Sequence, residues 1–229
     1  MSMKLLAIDA STEACSVALQ SDGDILERHR IAPRGHAQHL LTMVDELLTE
    51  AGHRLVQLDA IAFDRGPGSF TGVRISTSVT QGLAFGADLP VVPVSSLAII
   101  AQGVFRQYQA SQVLAAIDAR MNEVYWAAYR CHDGLMQLHG EEHVSMAEQV
   151  DVTSAGPWFG AGSGWQAYAE TLNQHLGNRL MDQDGEWLPH ARDLLSLATP
   201  LAEDRQWLAA EQALPTYLRN EIAKKSSTQ

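Results

Sequence analysis

The fold is decided by the stretch Leu5-Leu6-Ala7-Ile8-Asp9-Ala10-Ser11-Thr12-Glu13-Ala14-Cys15-Ser16-Val17-Ala18-Leu19, in which two apolar strand patterns flank a short polar turn. When this stretch is laid over residues 114–128, the same residue recurs at Leu5/Leu114, Ala7/Ala116, Ile8/Ile117, Asp9/Asp118, Ala10/Ala119 and Ala18/Ala127. The two aspartates therefore stand at equivalent turns. The repeat predicts a hairpin that the chain uses twice, once in each half.

Strand and helix patterns alternate in the rest of the chain. Strands are expected at residues 59–63 and 89–94, a strand and turn at residues 158–164, and helices at residues 37–51, 73–85, 166–175 and 194–213. Alternation of this kind predicts an α/β protein. We expect two lobes, residues 1–108 and 109–229. Two related halves that each begin with an Asp-bearing hairpin resemble the duplicated actin-like architecture (ASKHA, ribonuclease H-like), with mixed sheets flanked by helices.

A glycine-rich decapeptide, Arg65-Gly66-Pro67-Gly68-Ser69-Phe70-Thr71-Gly72-Val73-Arg74, joins the strand at residues 59–63 to the next helix. Three glycines and a proline indicate a tight strand-to-helix turn in which backbones approach closely. Ser69 or Thr71 is expected to cap the helix. A helix start also attracts anions, but no lysine follows Gly72 as a Walker-type phosphate loop requires.

Composition limits the classes of function. The chain has 229 residues, 46% hydrophobic and 19% charged, with a formal net charge of −11. This charge has the wrong sign for direct, strong nucleic-acid binding, and the basic tail with Arg219, Lys224 and Lys225 is interpreted as solvated. The sequence has no run of eighteen apolar residues and no secretory pattern at its start, so we expect a cytoplasmic protein without a membrane segment. Cys15 and Cys131 have no metal or redox spacing.

Four segments together resemble the TsaB (YeaZ) family. They are the first hairpin, the decapeptide, the pair Ala116-Ile117-Asp118-Ala119-Arg120 and Glu123-Val124-Tyr125-Trp126, and the C-terminal Pro215-x-Tyr217-Leu218-Arg219-Asn220. The resemblance runs nearly end to end. It implies the actin-like duplicated fold and marks Gly66, Pro67, Gly68, Ser69, Thr71, Gly72 and Arg74 as family motif residues.

The resemblance also implies a function. Members belong to the bacterial machinery that installs threonylcarbamoyl on adenosine 37 of tRNAs reading codons that begin with A. There TsaB is a non-catalytic partner and activator of its paralogue TsaD, and the ATPase TsaE joins the assembly. The implied partners are therefore TsaD, TsaE through the TsaB–TsaD assembly, and a second copy when the protein is alone. Contact with tRNA is implied to be indirect.

Two positions argue against catalysis by the chain alone. TsaD carries a metal-binding His-x-x-x-His after the strand that corresponds to residues 91–94, and here Ser96 and Ile100 occupy those two places. Neither replaces an imidazole ligand. We therefore expect no catalytic residue and no metal site, and nucleotide as a cofactor only within the assembly.

A phosphate grip is nevertheless the alternative reading. Asp9, Ser11 and Thr12 have the chemistry of a first phosphate loop, and Asp118 and Arg120 stand at the equivalent second turn. The structural interpretation is that these side chains close hairpins by bonding local backbone. An independent actin-like, ATP-dependent phosphotransferase remains the alternative function at this point.

Three histidine patterns raise metal or nucleophile chemistry. His139-Gly140-Glu141-Glu142-His143 matches a zinc pattern and makes a metallopeptidase the third hypothesis, but Gly140 argues against the helix that the pattern needs. Cys131-His132-Asp133 is interpreted as a surface turn, since adjacent side chains cannot converge. His36 and His39 lack a third ligand.

The first two helices, at about residues 36–51 and 72–86, are the expected partner surface. Apolar side chains of the first helix form one broad arc, and the second helix offers small and hydroxyl residues that permit close helix approach. The candidate contacts are Leu40, Val44, Leu47, Val73, Ser76 and Thr80. The other interpretation is that the chain's own sheet covers this arc.

Overall fold

A computed structural model describes residues 3–32, 35–152 and 156–221 of the chain. It contains two mixed β-sheets flanked by helices. The first sheet has the order β3-β2-β1-β4-β5. Its strands are β1 (Leu5–Asp9), β2 (Ala14–Ser21), β3 (Asp24–Ile31), β4 (Ala60–Asp64) and β5 (Val91–Val94).

The second sheet repeats the first. Its strands are β6 (Gln112–Arg120), β7 (Glu123–His132), β8 (Leu135–Leu138), β9 (His143–Met146), β10 (Trp158–Ala161) and β11 (Leu180–Asp184). Read from β8, the order is β8-β7-β6-β10-β11, with β9 pairing β7. In both sheets the hairpin strands pair antiparallel and the two following strands add parallel to the first. The duplicated hairpin and the two-lobed, actin-like fold are confirmed.

In the described part of the chain, five α-helices cover the sheets: α1 (His36–Glu50), α2 (Phe70–Ala87), α3 (Ser96–Tyr108), α4 (Ser163–Leu176) and α5 (Ala191–Glu203). Helices α1 and α2 pack on one face of the first sheet, and α5 packs on its other face. Helix α3 packs mainly against the second sheet, where it contacts strands β6 and β7. Helix α3 of the first half thus packs on the second sheet, and helix α5 of the second half packs on the first sheet. The expected domain boundary at residues 108/109 stays a prediction.

One helix prediction was too long. The pattern at residues 194–213 predicts one helix, but α5 ends at Glu203 and Arg205 adopts a positive φ of 56°. Leu208 instead exchanges backbone hydrogen bonds with Val91 at the edge of the first sheet. This edge pairing satisfies backbone groups that a continued helix would have kept within itself.

Within the described ranges, no helix has the combined length and apolarity that crossing a lipid bilayer demands. Lys224 and Lys225, which the sequence assigns to a solvated tail, lie outside the described residues.

Candidate functional site

A cleft of about 950 Å³ lies between the two lobes. Four of the five phosphate-grip candidates line it: Ser11, Thr12, Asp118 and Arg120. The decapeptide and the C-terminal segment also contribute, through Gly68, Ser69, Phe70, Tyr217 and Arg219. The structure therefore brings the two hairpin turns together across one cleft.

The decapeptide closes over the first hairpin turn. The N–H of Ser69 donates to the carbonyl oxygen of Ser11 at 2.7 Å, and the Ser76 hydroxyl donates to the carbonyl of Ile8 at 3.2 Å. A Cβ on Gly68 would lie 2.5 Å from the same Ser11 oxygen, and a Cβ on Gly72 would collide with the carbonyl of Ala10. Only glycine permits this contact between two backbones.

This packing decides how the first turn is used. The N–H of Ser11 donates to Oδ1 of Asp9 at 2.9 Å, so it is already bonded within the turn. Ser11 is 1% exposed and Asp9 is completely buried beneath the turn. Asp9 therefore does not line the cleft, contrary to the expectation for a phosphate-loop carboxylate, and of the three candidates in this turn Thr12 is the most exposed.

The decapeptide's other motif residues have local roles. The Ser69 hydroxyl accepts a hydrogen bond from the N–H of Gly72 at 3.4 Å and caps α2, whereas Thr71 is exposed. The Arg74 guanidinium stacks 3.4 Å from the Phe70 ring centroid and donates to the Tyr217 hydroxyl at 2.8 Å. Arg74 thus ties α2 to the C-terminal motif.

The second turn is bonded within itself. Oδ1 of Asp118 accepts the N–H of Arg120 at 2.8 Å, and Oδ2 pairs with the Arg120 guanidinium at 2.8 Å. Three successive residues, Arg120, Met121 and Asn122, have positive φ values between 59° and 64°. On the C-terminal side, Arg219 donates to the Ala119 carbonyl at 2.9 Å and pairs with Glu123.

The sequence reasoning missed three residues next to this site. Asp64 ends β4 beside Asp9 and accepts hydrogen bonds from Gly66 and from Ser96. Glu142 pairs with Arg65 of the decapeptide and accepts a hydrogen bond from the Tyr129 hydroxyl. A usable signal existed for Asp64. It follows an apolar strand directly, as Asp9 does, and parallel strands end at the same edge of a sheet.

The zinc-like pattern has a different use. His139 and Glu141 lie in the loop after β8, Gly140 has a φ of +98°, and His143 begins β9, so no helix presents both histidines on one face. Glu142 instead pairs with Arg65 at 3.2 Å and accepts the Tyr129 hydroxyl at 3.2 Å. Burial first, and the Glu142 charge second, raise the pKa of Tyr129.

The other two patterns also have local explanations. Cys131 and His132 end β7, and His132 lies 3.0 Å from Asp133 in the exposed turn. His36 is buried at the start of α1, while Nδ1 of His39 lies 3.3 Å from the Arg30 guanidinium.

The six predicted partner contacts are corrected by the structure. All lie inside the chain's own core with at most 4% exposure: Leu40, Val44, Leu47, Val73, Ser76 and Thr80. The apolar arc of α1 is covered by the first sheet and α2. The same helices expose other residues, chiefly Leu41 on α1 and Arg74, Ser78, Gly82 and Phe85 on α2.

Comparison with known proteins identifies the family. The family profile described as "TsaD: tRNA N6-adenosine threonylcarbamoyltransferase" matches residues 28–223. The chain is 46% identical to "tRNA threonylcarbamoyladenosine biosynthesis protein TsaB" of Escherichia coli strain K12, over 97% of each sequence. The protein of the same name from Haemophilus influenzae is 41% identical over 97% of this chain and 96% of its own length.

The chain belongs to the TsaB family. A solved structure described as "YeaZ from Pseudomonas aeruginosa" superposes with a TM-score of 0.90 at 52% identity, covering 95% of this chain and all of that one. The resemblance drawn from the hairpins, the decapeptide and the C-terminal motif is thus confirmed.

Proposed function

We propose that this chain is a non-catalytic partner that activates TsaD during formation of the threonylcarbamoyl group on adenosine 37 of tRNAs reading codons that begin with A. Two relatives, 46% and 41% identical to this chain over 97% and 96% of their own lengths, are named for that biosynthetic process. TsaE joins through the TsaB–TsaD assembly, tRNA contact is indirect, and the protein works in the cytoplasm.

The closed first turn carries the non-catalytic part of the proposal. A phosphate grip needs free N–H groups that point at the ligand. Here the Ser11 N–H donates to Asp9 and the Ser11 carbonyl accepts the Ser69 N–H, while Arg120 pairs with Asp118 within the second turn. Nucleotide could therefore bind between the turns only if these hydrogen bonds rearranged. We expect nucleotide binding only within the assembly.

The residues at the positions of the paralogue's metal histidines support the same conclusion. Ser96 is completely buried and its hydroxyl donates to Asp64, while Ile100 is 1% exposed within the core around β6. The Ile100 side chain packs in the core, and the Ser96 hydroxyl is already hydrogen-bonded to Asp64. Neither side chain is a suitable ligand for a catalytic metal.

The exposed faces of α1 and α2 are the proposed docking surface for TsaD, or for a second copy when the chain is alone. Leu41 is 50% exposed and Phe85 is 78% exposed. No described atom lies within 4 Å of a Cβ placed on Gly82 or Gly86, so another helix can approach the α2 backbone closely. One self-complementary face can serve both a homodimer and a related heterodimer.

Reconstitution tests the proposal. Transfer of threonylcarbamoyl to tRNA is measured by nucleoside mass spectrometry with TsaD and TsaE, with and without this chain, and with the chain alone. We expect product only when TsaD and this chain are both present. Product from the chain alone, or equal product without it, would refute the role. Calorimetry with Mg-ATP on the isolated chain tests the phosphotransferase alternative, which predicts micromolar binding.

A further inference from the structure

Asp9 and Asp64 form a buried carboxyl pair that the proposed function does not use. They are the last residues of β1 and β4, which pair in parallel with Ile8 beside Phe63. Both residues have 0% exposure, and this pairing places them side by side at the ends of the two strands. Two acceptor-only groups thus meet in the interior, where an unpaired charge is costly.

The hydrogen bonds of the pair are incomplete in one specific way. Oδ1 of Asp64 accepts the Gly66 N–H at 2.7 Å and the Ser96 hydroxyl at 2.5 Å, and Oδ1 of Asp9 accepts the Ser11 N–H at 2.9 Å. Oδ2 of each carboxyl, however, is buried and has no hydrogen-bond partner among the residues that the structure describes. One proton placed between the carboxyls turns one orphaned acceptor into a donor for the other.

The surroundings decide which residue holds the proton. Asp64 receives two donors on one oxygen, so it is the better-stabilised anion. Asp9 receives only the Ser11 N–H from the backbone. Burial, followed by the charge of Asp64 and the hydrogen bond with it, raises the pKa of Asp9 well above its usual range. Burial also raises the pKa of Asp64, while its hydrogen bonds oppose that shift.

No cation neutralises the pair among the described residues, since none of the ion pairs there includes Asp9 or Asp64. The titratable groups nearby include the Cys15 thiol on β2, which Asp9 and Arg30 both influence, and Arg65, which follows Asp64 in the chain and pairs with Glu142. Burial and the nearby Asp9 raise the pKa of Cys15, so the thiol adds no charge at neutral pH.

We propose that Asp9 and Asp64 share one proton at neutral pH, held chiefly by Asp9, and that this acid–carboxylate pair latches the decapeptide onto the first hairpin turn. The latch follows from the bonds already described. Asp9 holds the turn through the Ser11 N–H, and Asp64 holds the decapeptide through the Gly66 N–H. Loss of the proton would leave two adjacent buried charges and would favour separation of the two segments.

Infrared spectroscopy tests the proton directly. Exposed carboxyls are ionised at pH 7, so a carbonyl band of a protonated carboxyl in the folded protein reports a perturbed group. We expect this band in the wild type, its absence in Asp9→Asn, and its retention in Asp22→Asn, which changes an exposed aspartate. A folded wild type without the band would overturn the proposal. So would a band that Asp9→Asn leaves unchanged.

The pH dependence of urea unfolding provides a second readout. A folded state that holds one extra proton becomes less stable as pH rises, by up to tenfold in the unfolding equilibrium constant per pH unit between the unfolded and folded pKa values. The amide of Asp9→Asn donates without titrating. We expect the wild-type unfolding midpoint to fall from pH 5 to 8 relative to this variant. Parallel pH profiles would contradict the shared proton.

A bound cation is the competing explanation of the pair. Magnesium chloride is therefore added to the wild type at pH 7 and the protonated-carboxyl band is recorded again. We expect no change in the band and no rise in the unfolding midpoint. Disappearance of the band together with a higher midpoint would show that the pair is a ligand set for a divalent ion, which would overturn the proposal. If Asp9→Asn does not fold, titration of the wild-type band with pH still decides the question.

Discussion

The backbone N–H of Ser69 donates to the backbone carbonyl of Ser11 at 2.7 Å, which joins the decapeptide to the first hairpin turn. The bond forms because two glycines beside it have no Cβ. Gly68 faces the same carbonyl, and Gly72 lies against the carbonyl of Ala10. The motif is therefore explained by contact between backbones rather than by a bound phosphate.

We expect Gly72→Ala to lower the free energy of unfolding by about 3 kcal/mol, because the added methyl group forces the hairpin and α2 apart. Gly82→Ala is the matched control on the same helix. A Cβ at Gly82 meets nothing within 4 Å, so the change should raise stability by roughly 0.5–1 kcal/mol through helix propensity. Urea unfolding of both variants measures this. Equal effects at the two positions would contradict the close contact.

The sequence predicted the fold and the motif but not which side chains pair with each other. Identical residues at Asp9/Asp118 and around them revealed the duplication, because equivalent turns need equivalent residues. The pairing of Glu142 with Arg65 could not be foreseen, since it joins a loop of the second sheet to the decapeptide across 77 positions. Side chains of that sequence separation meet only once the topology is known.

For helices α1 and α2, the sequence also does not show which residues face the core and which are exposed. The apolar arc of α1 is visible in the sequence, yet periodicity does not say which surface covers it. In the structure α1 lies on its own sheet, so Leu40 and Leu47 belong to the core and Leu41 is exposed. A sequence pattern locates an apolar face, but only packing distinguishes an internal face from an interface.

Substitutions on α1 and α2 separate these two kinds of residue. Leu47→Glu buries an unpaired carboxylate at a position with 0% exposure and should cost on the order of 4 kcal/mol of stability. Phe85→Glu, at a 78% exposed position, should leave circular dichroism and the unfolding midpoint unchanged and reduce co-purification with TsaD at least tenfold. Met181→Glu on β11, which is 58% exposed, is the control. If Phe85→Glu co-purified with TsaD as well as the wild type does, the exposed face of α2 would not be the docking surface.

Acid should weaken the attachment of α5 to the first sheet. The rings of His29 and His190 stack with centroids 4.1 Å apart, and Glu27 accepts hydrogen bonds from His190 and from the N–H of Arg192. Burial, and then the charge of His190, lower the pKa of His29. Burial opposes ionisation of Glu27, but the bonds from His190 and Arg192 outweigh it and lower the pKa of Glu27.

The sign follows from proton uptake. Below about pH 6.5 the unfolded chain protonates His29 while the folded chain does not, so stability falls with falling pH until the lowered folded pKa is reached. Glu27 adds a further loss below the pKa of an unfolded glutamate. Unfolding free energies at pH 7.5 and 5.5 measure the effect. We expect His29→Gln to lose less stability than the wild type over this interval, and an equal loss would exclude His29 as the group concerned.

The ion pair between Arg65 and Glu142 should contribute more than an exposed pair of similar length. The Glu142 side chain is only 8% exposed, and its carboxylate also accepts the Tyr129 hydroxyl, so water screens the 3.2 Å contact poorly. A double-mutant cycle with Arg65→Met and Glu142→Gln should give a coupling free energy of about 1 kcal/mol that changes little with salt. The pair Arg179 and Asp151, at 2.9 Å with a 56% exposed carboxylate side chain, is the control and should give less than about 0.5 kcal/mol. If both cycles gave the same salt-sensitive value, the decapeptide would not be anchored to the second sheet through Glu142.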